Sequence, residues 1–289
     1  MSAEPAGAAG ALRPLTPVDV RPLLLPLHRE LVSLLEGCAP ADWERPTVVP
    51  AWRVRDVAAH LLDGELRRLS MHRDGHALPL PAEARADEAG LVAFLNAMNA
   101  EWLQATRRLS PRVLLDLLRE AGLAGAAFLA ALEPEAEALL PVAWAGETES
   151  SNWMDVGREY TERWHHQQQI RLALLAPLLL DPKWLRPVLE ISLRALPHRY
   201  RDVPAEDGAT LVVEISGPAG GRYSLVREAG AWRLFAGVGA RPAARIVVDQ
   251  DAAWRIFFKA WPAGAPPALT AEGRPELGGR FLAAWAVMA

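Results

Sequence analysis

The stretch Thr210-Leu-Val-Val-Glu-Ile215 decides the fold class, because here the apolar pattern changes from a period of 3.6 residues to the period of a β-strand. Short β-rich runs follow at residues 223–226, 232–235 and 245–248, with a further possible strand at 268–271. Gly and Pro separate these runs, and Gly230 stands where a tight hairpin would turn. Two short helices are predicted around the last strand, at residues 251–260 and 275–286.

The sequence before Pro197 has the apolar period of α-helices. Ser110-Pro111 and Asp181-Pro182 each combine a capping side chain with a proline, which is typical of a helix start. The change of period predicts two domains, residues 1–200 and residues 201–289, with the boundary between Pro197 and Asp207. The predicted helices of the first domain cover residues 23–36, 54–72, 88–108, 110–132, 153–175 and 181–196.

The composition is that of a globular protein with enough apolar material for two cores. The 289 residues are 51% hydrophobic and 23% charged, and the mean hydropathy is +0.04. A net charge of −4 argues against nucleic acid as a partner. A single cysteine, Cys38, excludes an internal disulfide and a multi-cysteine zinc site. Two lysines against 29 arginines suggest a GC-rich bacterial genome.

Neither a secretion signal nor a membrane span is predicted. Residues 1–19 lack a basic segment followed by an apolar one, and the longest apolar run, residues 172–180, is far below the roughly 20 residues that cross a bilayer. We therefore expect a soluble cytoplasmic protein, either a monomer or a homodimer.

A first candidate for chemistry is Glu162-Arg-Trp-His-His166. Glu162 and His166 are four residues apart, so on a helix their side chains share a face, about 5–6 Å apart at Cβ. A carboxylate and an imidazole so placed can bind one cation, although the same spacing also occurs in solvated Glu–His pairs. His165 is rotated by about 100° from His166 and is expected to face away from the site.

The second candidate is His60, in the middle of an apolar predicted helix. A buried imidazole needs partners, and Asp56, four residues earlier, is the one strong acceptor nearby. Asp56 can accept the second ring N–H of a metal-bound His60, or it can serve the helix N-terminus, or both. His72 and His76 also have a four-residue spacing, but Gly75 suggests a frayed helix end, and we expect two surface histidines.

These residues carry a resemblance to a known family. The stretch from Asp42 to Leu61, which contains Val49-Pro-Ala-Trp52 and His60, is similar to the N-terminal signature of the mycothiol-dependent maleylpyruvate isomerase family. The run Glu162-x-x-x-His-Gln-Gln-Gln-Ile-Arg171 resembles the second metal motif of that family, and residues 273–282 resemble the end of its small C-terminal domain. The family belongs to the wider DinB/YfiT-like metal-binding proteins.

The resemblance implies an α+β protein in which a DinB-like antiparallel four-helix bundle precedes a small α+β, sterol-carrier-like domain. It further implies a divalent metal, with zinc preferred, held by His60, Glu162 and His166. Three protein ligands leave a fourth position open, and in the family this position is thought to take a low-molecular-weight thiol such as mycothiol. The expected activity is a thiol-using transferase or isomerase that acts on a small electrophile, with a metal-activated thiolate or water as nucleophile.

Two departures from the family leave the substrate open. The family often has Cys-Pro-Gly-Trp where this chain has Val49-Pro-Ala-Trp52, and often an acid where this chain has Gln167-Gln168-Gln169. The alternatives are a non-catalytic metal- or ligand-binding module and a metal-assisted hydrolase. An acidic substrate could be bound by an arginine, for which Arg171, Arg274 and Arg280 are candidates among many surface arginines.

Overall fold

The computed structural model describes residues 11–76, 79–86, 88–261 and 264–286. Within these ranges the chain forms two compact units. The helical unit comprises residues 19–142 and 148–179, and the sheet unit comprises residues 11–18, 143–147 and 180–286.

The first helix of the helical unit begins two residues earlier than predicted, and a short helix at Ala82–Ala86 was not predicted. Pro22 lies in the first turn of the first helix, where its missing N–H costs no hydrogen bond. The hydroxyl of Ser110 accepts a hydrogen bond from the N–H of Val113 at 3.3 Å, so the predicted cap is confirmed. The helices of this unit are α1 (Arg21–Glu36), α2 (Val54–Arg68), α3 (Ala82–Ala86), α4 (Glu88–Thr106), α5 (Pro111–Ala130) and α6 (Asn152–Leu174).

Helices α1 and α2 both pack against α5 and against α6. Their apolar stripes form a shared core in which Leu62, Val57 and Leu114 are almost fully buried. The predicted helix over residues 54–72 is split, because α2 ends at Arg68 and continues as a π-helical turn, Leu69–Arg73. Among the described residues, no helix has both the length and the apolar character that a bilayer crossing needs. The contact of α2 with α6 is what brings the two candidate motifs together.

The sheet unit contains a six-stranded sheet in the order β1-β4-β3-β2-β5-β6. β2 runs parallel to β5, and the other neighbouring strands are antiparallel. The hairpin between β3 and β4 turns at Gly230, whose φ of +75° favours glycine, as predicted. The strands are β1 (Arg13–Pro14), β2 (Thr210–Ser216), β3 (Gly221–Glu228), β4 (Ala231–Ala236), β5 (Ala244–Asp249) and β6 (Leu269–Gly273).

The sheet unit also contains the segment that the sequence assigned to the first domain, residues 180–200. Its main helix, α7 (Pro182–Ser192), begins at the predicted cap, where the Asp181 carboxylate accepts from the N–H of Lys183 at 2.9 Å. α7 packs on α9 (Gln250–Phe257) of the same unit and buries Leu185 and Val188. An amphipathic pattern predicts that a helix has a buried face, but not which core covers that face, and this explains the difference. The other helices of this unit are α8 (Leu196–Arg199) and α10 (Pro275–Arg280).

Candidate metal centre

The contact between α2 and α6 brings His60 beside His166. The centroids of the two imidazole rings are 4.6 Å apart, and the rings meet edge to face. The indole of Trp52, which precedes α2, packs against both rings, with centroid distances of 5.0 Å to His60 and 6.2 Å to His166. Two histidines that are 106 residues apart in the sequence thus contact the same indole ring.

Glu162 lies one helical turn before His166 and faces it, as the spacing predicts. The Glu162 Oε2 atom is 3.5 Å from Nε2 of His166. Nδ1 of His166 is 2.9 Å from Oε1 of Gln169 and donates its hydrogen to that oxygen. In the neutral ring, Nε2 therefore carries a lone pair that faces a carboxylate oxygen. A cation between two such donors would turn a repulsive contact into a pair of ligands, so the donor set fits a divalent metal.

His165 does not face away from this site, and the expectation from sequence was wrong. Its ring centroid is 3.9 Å from that of His166, and its Nδ1 is 3.9 Å from Oε2 of Glu162. Glu162 is three residues before His165 and four before His166, and both separations bring side chains together on a helix. The 100° rotation between the two histidines therefore does not remove either one from reach of the carboxylate.

His165 also has its ring oriented by the helix itself. Nδ1 of His165 is 3.1 Å from the carbonyl oxygen of Thr161, and because a carbonyl only accepts, Nδ1 must carry the hydrogen. Within the described ranges, one group of potential ligands has all its donor atoms within 4.8 Å of one another, and it consists of Glu162, His165 and His166. His60 lies next to this group. We call these four residues the histidine cluster.

The electrostatics of the histidine cluster favour neutral rings at His60 and His165 beside an ionised Glu162. Burial raises the pKa of Glu162, but the positive charge of His165, His166 and His60 in their protonated forms, including a hydrogen bond from protonated His166, lowers it more strongly, to about 2. Burial, followed by the charge of neighbouring His166, lowers the pKa of His165 to about 3 and that of His60 well below its ordinary value. Neutral imidazoles with free lone pairs are what metal binding requires.

His60 lacks the anchoring hydrogen bond that orients the other two imidazoles. In the described part of the chain, neither of its ring nitrogens has a hydrogen-bond partner. Asp56 does not supply one, which corrects the proposed second role of that residue. One Asp56 carboxylate oxygen accepts from the backbone N–H of Arg53 at 2.9 Å, at the start of α2. A carboxylate in the first helical turn is drawn to the free N–H groups there, away from the next turn, where His60 lies.

The sequence prediction missed two members of this site. Trp52 was read as a packing residue, like the other tryptophans, and Gln169 only as a departure from the family's acid. The three-residue spacing between His166 and Gln169 was the available signal, since such pairs meet on a helix. For Trp52 no local signal exists, because its contact with His166 depends on how α2 packs against α6.

A second polar cluster lies between the same two helices and has a different character. Arg163 binds Glu65 through two hydrogen bonds of 2.7 and 2.8 Å and also contacts Glu159 at 2.8 Å. Arg68 binds Asp155 at 2.7 Å and also contacts Glu159. With Arg158, which pairs with Asp155, these side chains form what we call the arginine cluster: Arg68, Arg158, Arg163, Glu65, Asp155 and Glu159.

The three arginines that the sequence offered for an acidic substrate are engaged elsewhere. Arg171 binds Glu30 at 3.1 Å and the carbonyl oxygen of residue 177 at 2.8 Å. In the sheet unit, Arg274 binds Glu206 at 3.0 Å, and Nε of Arg280 donates to a backbone carbonyl at 2.8 Å. His72 was expected at the surface, but it is partly buried and its ring contacts the Arg68 guanidinium.

Comparison with known proteins identifies a family model that matches most of the helical unit. The family model for the mycothiol maleylpyruvate isomerase N-terminal domain matches residues 24–171, just over half of the chain. The chain belongs to this family. The match includes the whole histidine cluster, from His60 to His166, and ends before strand β2. A search of curated proteins finds no match.

One solved structure supports the fold of this chain, and a second is given beside it for comparison of identity and coverage only. A crystal structure of the mycothiol-dependent maleylpyruvate isomerase is 13% identical, with a TM-score of 0.51, over 86% of this chain and 96% of that one. A crystal structure of a histidine-to-alanine mutant of that enzyme is also 13% identical, with a TM-score of 0.49, over 82% and 88%. At this identity the first of these supports the mixed α/β fold, and the arrangement of residues in the site rests on the geometry above.

Proposed function

We propose that this protein is a metal-dependent, thiol-using isomerase or transferase that acts on a small electrophile. The observation that carries the proposal is the contact of Glu162 with His166, in which a carboxylate oxygen and an imidazole lone pair face each other at 3.5 Å. His60, whose nitrogens have no hydrogen-bond partner in the described residues, would complete a set of three ligands. Two nitrogens and one oxygen suit zinc.

His60 rather than His165 is the third ligand in this proposal. Nδ1 of His165 donates to the Thr161 carbonyl just as Nδ1 of His166 donates to Gln169, so this bond does not distinguish the two rings. His165, however, lies on the same helical turn as His166. His60 comes from a different helix, so a cation bound by it would be enclosed from two sides. Trp52 packs against His60 and can orient its ring in place of a hydrogen bond. His165 would then be a neighbour of the site whose ring packs against that of His166.

Three protein ligands leave room for one small molecule, which we propose to be a low-molecular-weight thiol. A bound divalent cation favours thiolate over thiol and so supplies a nucleophile at neutral pH. Isomerisation requires the thiolate to add to a conjugated double bond, the resulting single bond to rotate, and the same thiolate to leave as the double bond re-forms. Transfer results when the thiolate stays attached. The solved relative is named as a mycothiol-dependent maleylpyruvate isomerase, so both mycothiol and that substrate are the first to test.

The proposal also covers the type of each of the two units. The helices α1, α2, α5 and α6 would constitute the DinB-like antiparallel four-helix bundle, with its metal centre between α2 and α6. The sheet unit would be the sterol-carrier-like domain that follows the bundle.

Metal content is the first test. The full chain, purified without chelators, should contain one divalent metal per molecule by elemental analysis. His166→Ala and His60→Ala should each lower the affinity for zinc at least about 100-fold, more than the loss of a residue that only orients a ligand. The free energy of unfolding of the metal-free variants should change little, since apolar packing of the helices supplies most of it.

His165→Ala is the matched control in the same turn. We expect it to reduce zinc affinity by no more than about tenfold, because it removes a neighbour and not a ligand. An equal loss for His165→Ala and a normal affinity for His60→Ala would replace the proposed ligand set by Glu162, His165 and His166.

The reaction is tested separately, by thiol addition. The zinc-loaded protein should isomerise maleylpyruvate or conjugate a small electrophile in the presence of mycothiol, bacillithiol or glutathione, and Glu162→Gln should abolish this activity. A protein with stoichiometric metal and no activity with any of these thiols would instead be a metal-binding module. Activity with water alone would indicate a hydrolase.

A further inference from the structure

One arginine on the His60 side of α2 differs from the arginines around it. Arg67 is seven residues after His60, and Asp63 lies between them at the third position. Side chains with this spacing line one face of an α-helix. Asp63 is only about 4.5 Å further along the helix axis than His60. This face is distinct from the one that carries Arg68, which belongs to the arginine cluster.

The position of the Arg67 guanidinium follows from its pairing with Asp63. Nε of Arg67 is 2.8 Å from Oδ2 of Asp63, a close ion pair without the geometry of a hydrogen bond. The long side chain therefore folds back along α2 towards the start of the helix. Side chains of helices lean in this direction in general. The guanidinium is therefore held about one turn from His60. Its positive charge is also one of the causes that lower the pKa of His60, which agrees with this placement.

The terminal nitrogens of Arg67 remain available. In the described part of the chain, its contact with Asp63 is through Nε, and no hydrogen bond from its two Nη atoms is present. The side chain keeps 32% of its surface exposed, whereas that of Arg68 keeps 4% and donates to several carboxylates. A guanidinium held at one end, with its outer edge open, can bind a carboxylate through two parallel hydrogen bonds.

We infer that Arg67 binds a carboxylate of the electrophile and so determines the specificity of the site. The inference rests on the proposed function, because it assumes that the substrate occupies the space beside the histidine cluster. Asp63 holds the guanidinium in place as a positioning residue. An acidic electrophile bound in this way would have its carboxylate on Arg67 and its reactive carbon nearer to His60 and Glu162.

Binding of a simple dicarboxylate tests this assignment without requiring turnover. Maleate and the neutral dimethyl maleate are titrated into the zinc-loaded full chain by calorimetry, for the wild type and for Arg67→Gln. We expect Arg67→Gln to weaken maleate binding about 10- to 100-fold, the usual effect of losing hydrogen bonds to a charged group. The weaker binding of the ester should be the same in Arg67→Gln as in the wild type. The maleate affinity of Arg67→Lys should lie between those of the wild type and Arg67→Gln.

Arg73→Gln is the matched control, because Arg73 is an exposed arginine that pairs with its neighbour Asp74. It should bind maleate like the wild type. Zinc affinity, measured on the same samples, should be unaffected by Arg67→Gln. Maleate binding that is absent in the wild type, or equal in Arg67→Gln and the wild type, overturns the role of Arg67. A protein that binds no zinc fails the proposed function instead, and the two failures are thereby distinguished.

Discussion

The histidine cluster and the arginine cluster both lie between α2 and α6, but their charges are balanced differently. The arginine cluster contains three guanidinium groups and three carboxylates, and each of its members has an oppositely charged partner within it. The histidine cluster contains one carboxylate and three imidazoles whose pKa values, where shifted, are lowered. None of its four members carries a permanent positive charge to balance Glu162.

This difference fits a structural role for the arginine cluster and, under the proposed function, a cation-binding role for the histidine cluster. In a buried ion network whose charged groups are all paired, no group is left to bind a ligand. Such a network stabilises one arrangement of the helices. Under the proposed function, the Glu162 carboxylate and the imidazole lone pairs of the histidine cluster bind an added cation. Mutations in the arginine cluster should therefore lower the free energy of unfolding, whereas mutations in the histidine cluster should lower the affinity for metal.

Loss of Glu65 should produce the largest loss of stability. Glu65→Ala leaves Arg163 buried without its bidentate partner, and removing one member of a buried pair costs about 3–5 kcal/mol. Urea denaturation of the metal-free protein measures this effect. Glu36→Ala, which breaks an exposed pair with Arg119, should cost at most about 1 kcal/mol. Equal effects of the two variants would show that the arginine cluster does not stabilise the fold.

Gly125→Ala should disturb the arginine cluster without removing a charge. A Cβ at this position in α5 would lie 2.0 Å from Oε2 of Glu65, so the carboxylate must move away from Arg163. We expect a loss of about 1–3 kcal/mol in the free energy of unfolding. Gly64→Ala, on α2, meets no atom within 4 Å and should stabilise the protein by about 0.5–1 kcal/mol. A Gly125→Ala protein that is as stable as Gly64→Ala contradicts this packing.

Acid should weaken the same region through His72. Burial, and then the charge of Arg68, lowers the pKa of His72 from 6.5 to about 4. Because the unfolded chain binds this proton more readily, the contribution is fully present above pH 6.5 and is lost as the pH falls from 6.5 towards 4. In metal-free protein, His72→Gln should reduce the loss of stability between about pH 7.5 and about pH 5.5 by about 1 kcal/mol. If the free energy of unfolding depended on pH in the same way for the variant and the wild type, the lowered pKa of His72 would be contradicted.

Gln167→Leu should have the smallest effect. Gln167 directly follows His166 in α6, is completely buried, and neither atom of its amide has a hydrogen-bond partner among the described residues. Its side chain lines a small cavity together with His28, Glu65 and Arg163. Replacing an unpartnered amide by an apolar group of similar size is near neutral or stabilises by up to about 1 kcal/mol. Destabilisation by Gln167→Leu would instead show that the amide binds an ordered water in that cavity.

The sequence predicted the features that depend on neighbouring residues. The cap at Ser110, the turn at Gly230 and the contact of Glu162 with His166 all follow from spacings of a few residues. The resemblance to the family added the pairing of His60 with His166, which no local spacing contains.

The features that sequence could not predict depend on contacts between distant segments. The charged side chains of α6 have the spacing of a solvated helix face, but Asp155 and Arg163 are buried because α2 supplies Arg68 and Glu65 as partners. The unit to which α7 belongs is likewise decided by its contact with α9. His165 is different, because its three-residue spacing from Glu162 was visible, and a single rotation angle was the wrong measure of proximity.

The most direct measurement of the central claim is a crystal structure with anomalous diffraction at the zinc edge. One peak is expected between α2 and α6, about 2.0–2.2 Å from a nitrogen of His60, a nitrogen of His166 and an oxygen of Glu162. No fourth protein atom should lie at bonding distance, and no zinc should occupy the arginine cluster. A zinc-supplemented crystal without a peak at the histidine cluster, or with a site closed by four protein ligands, would contradict the account.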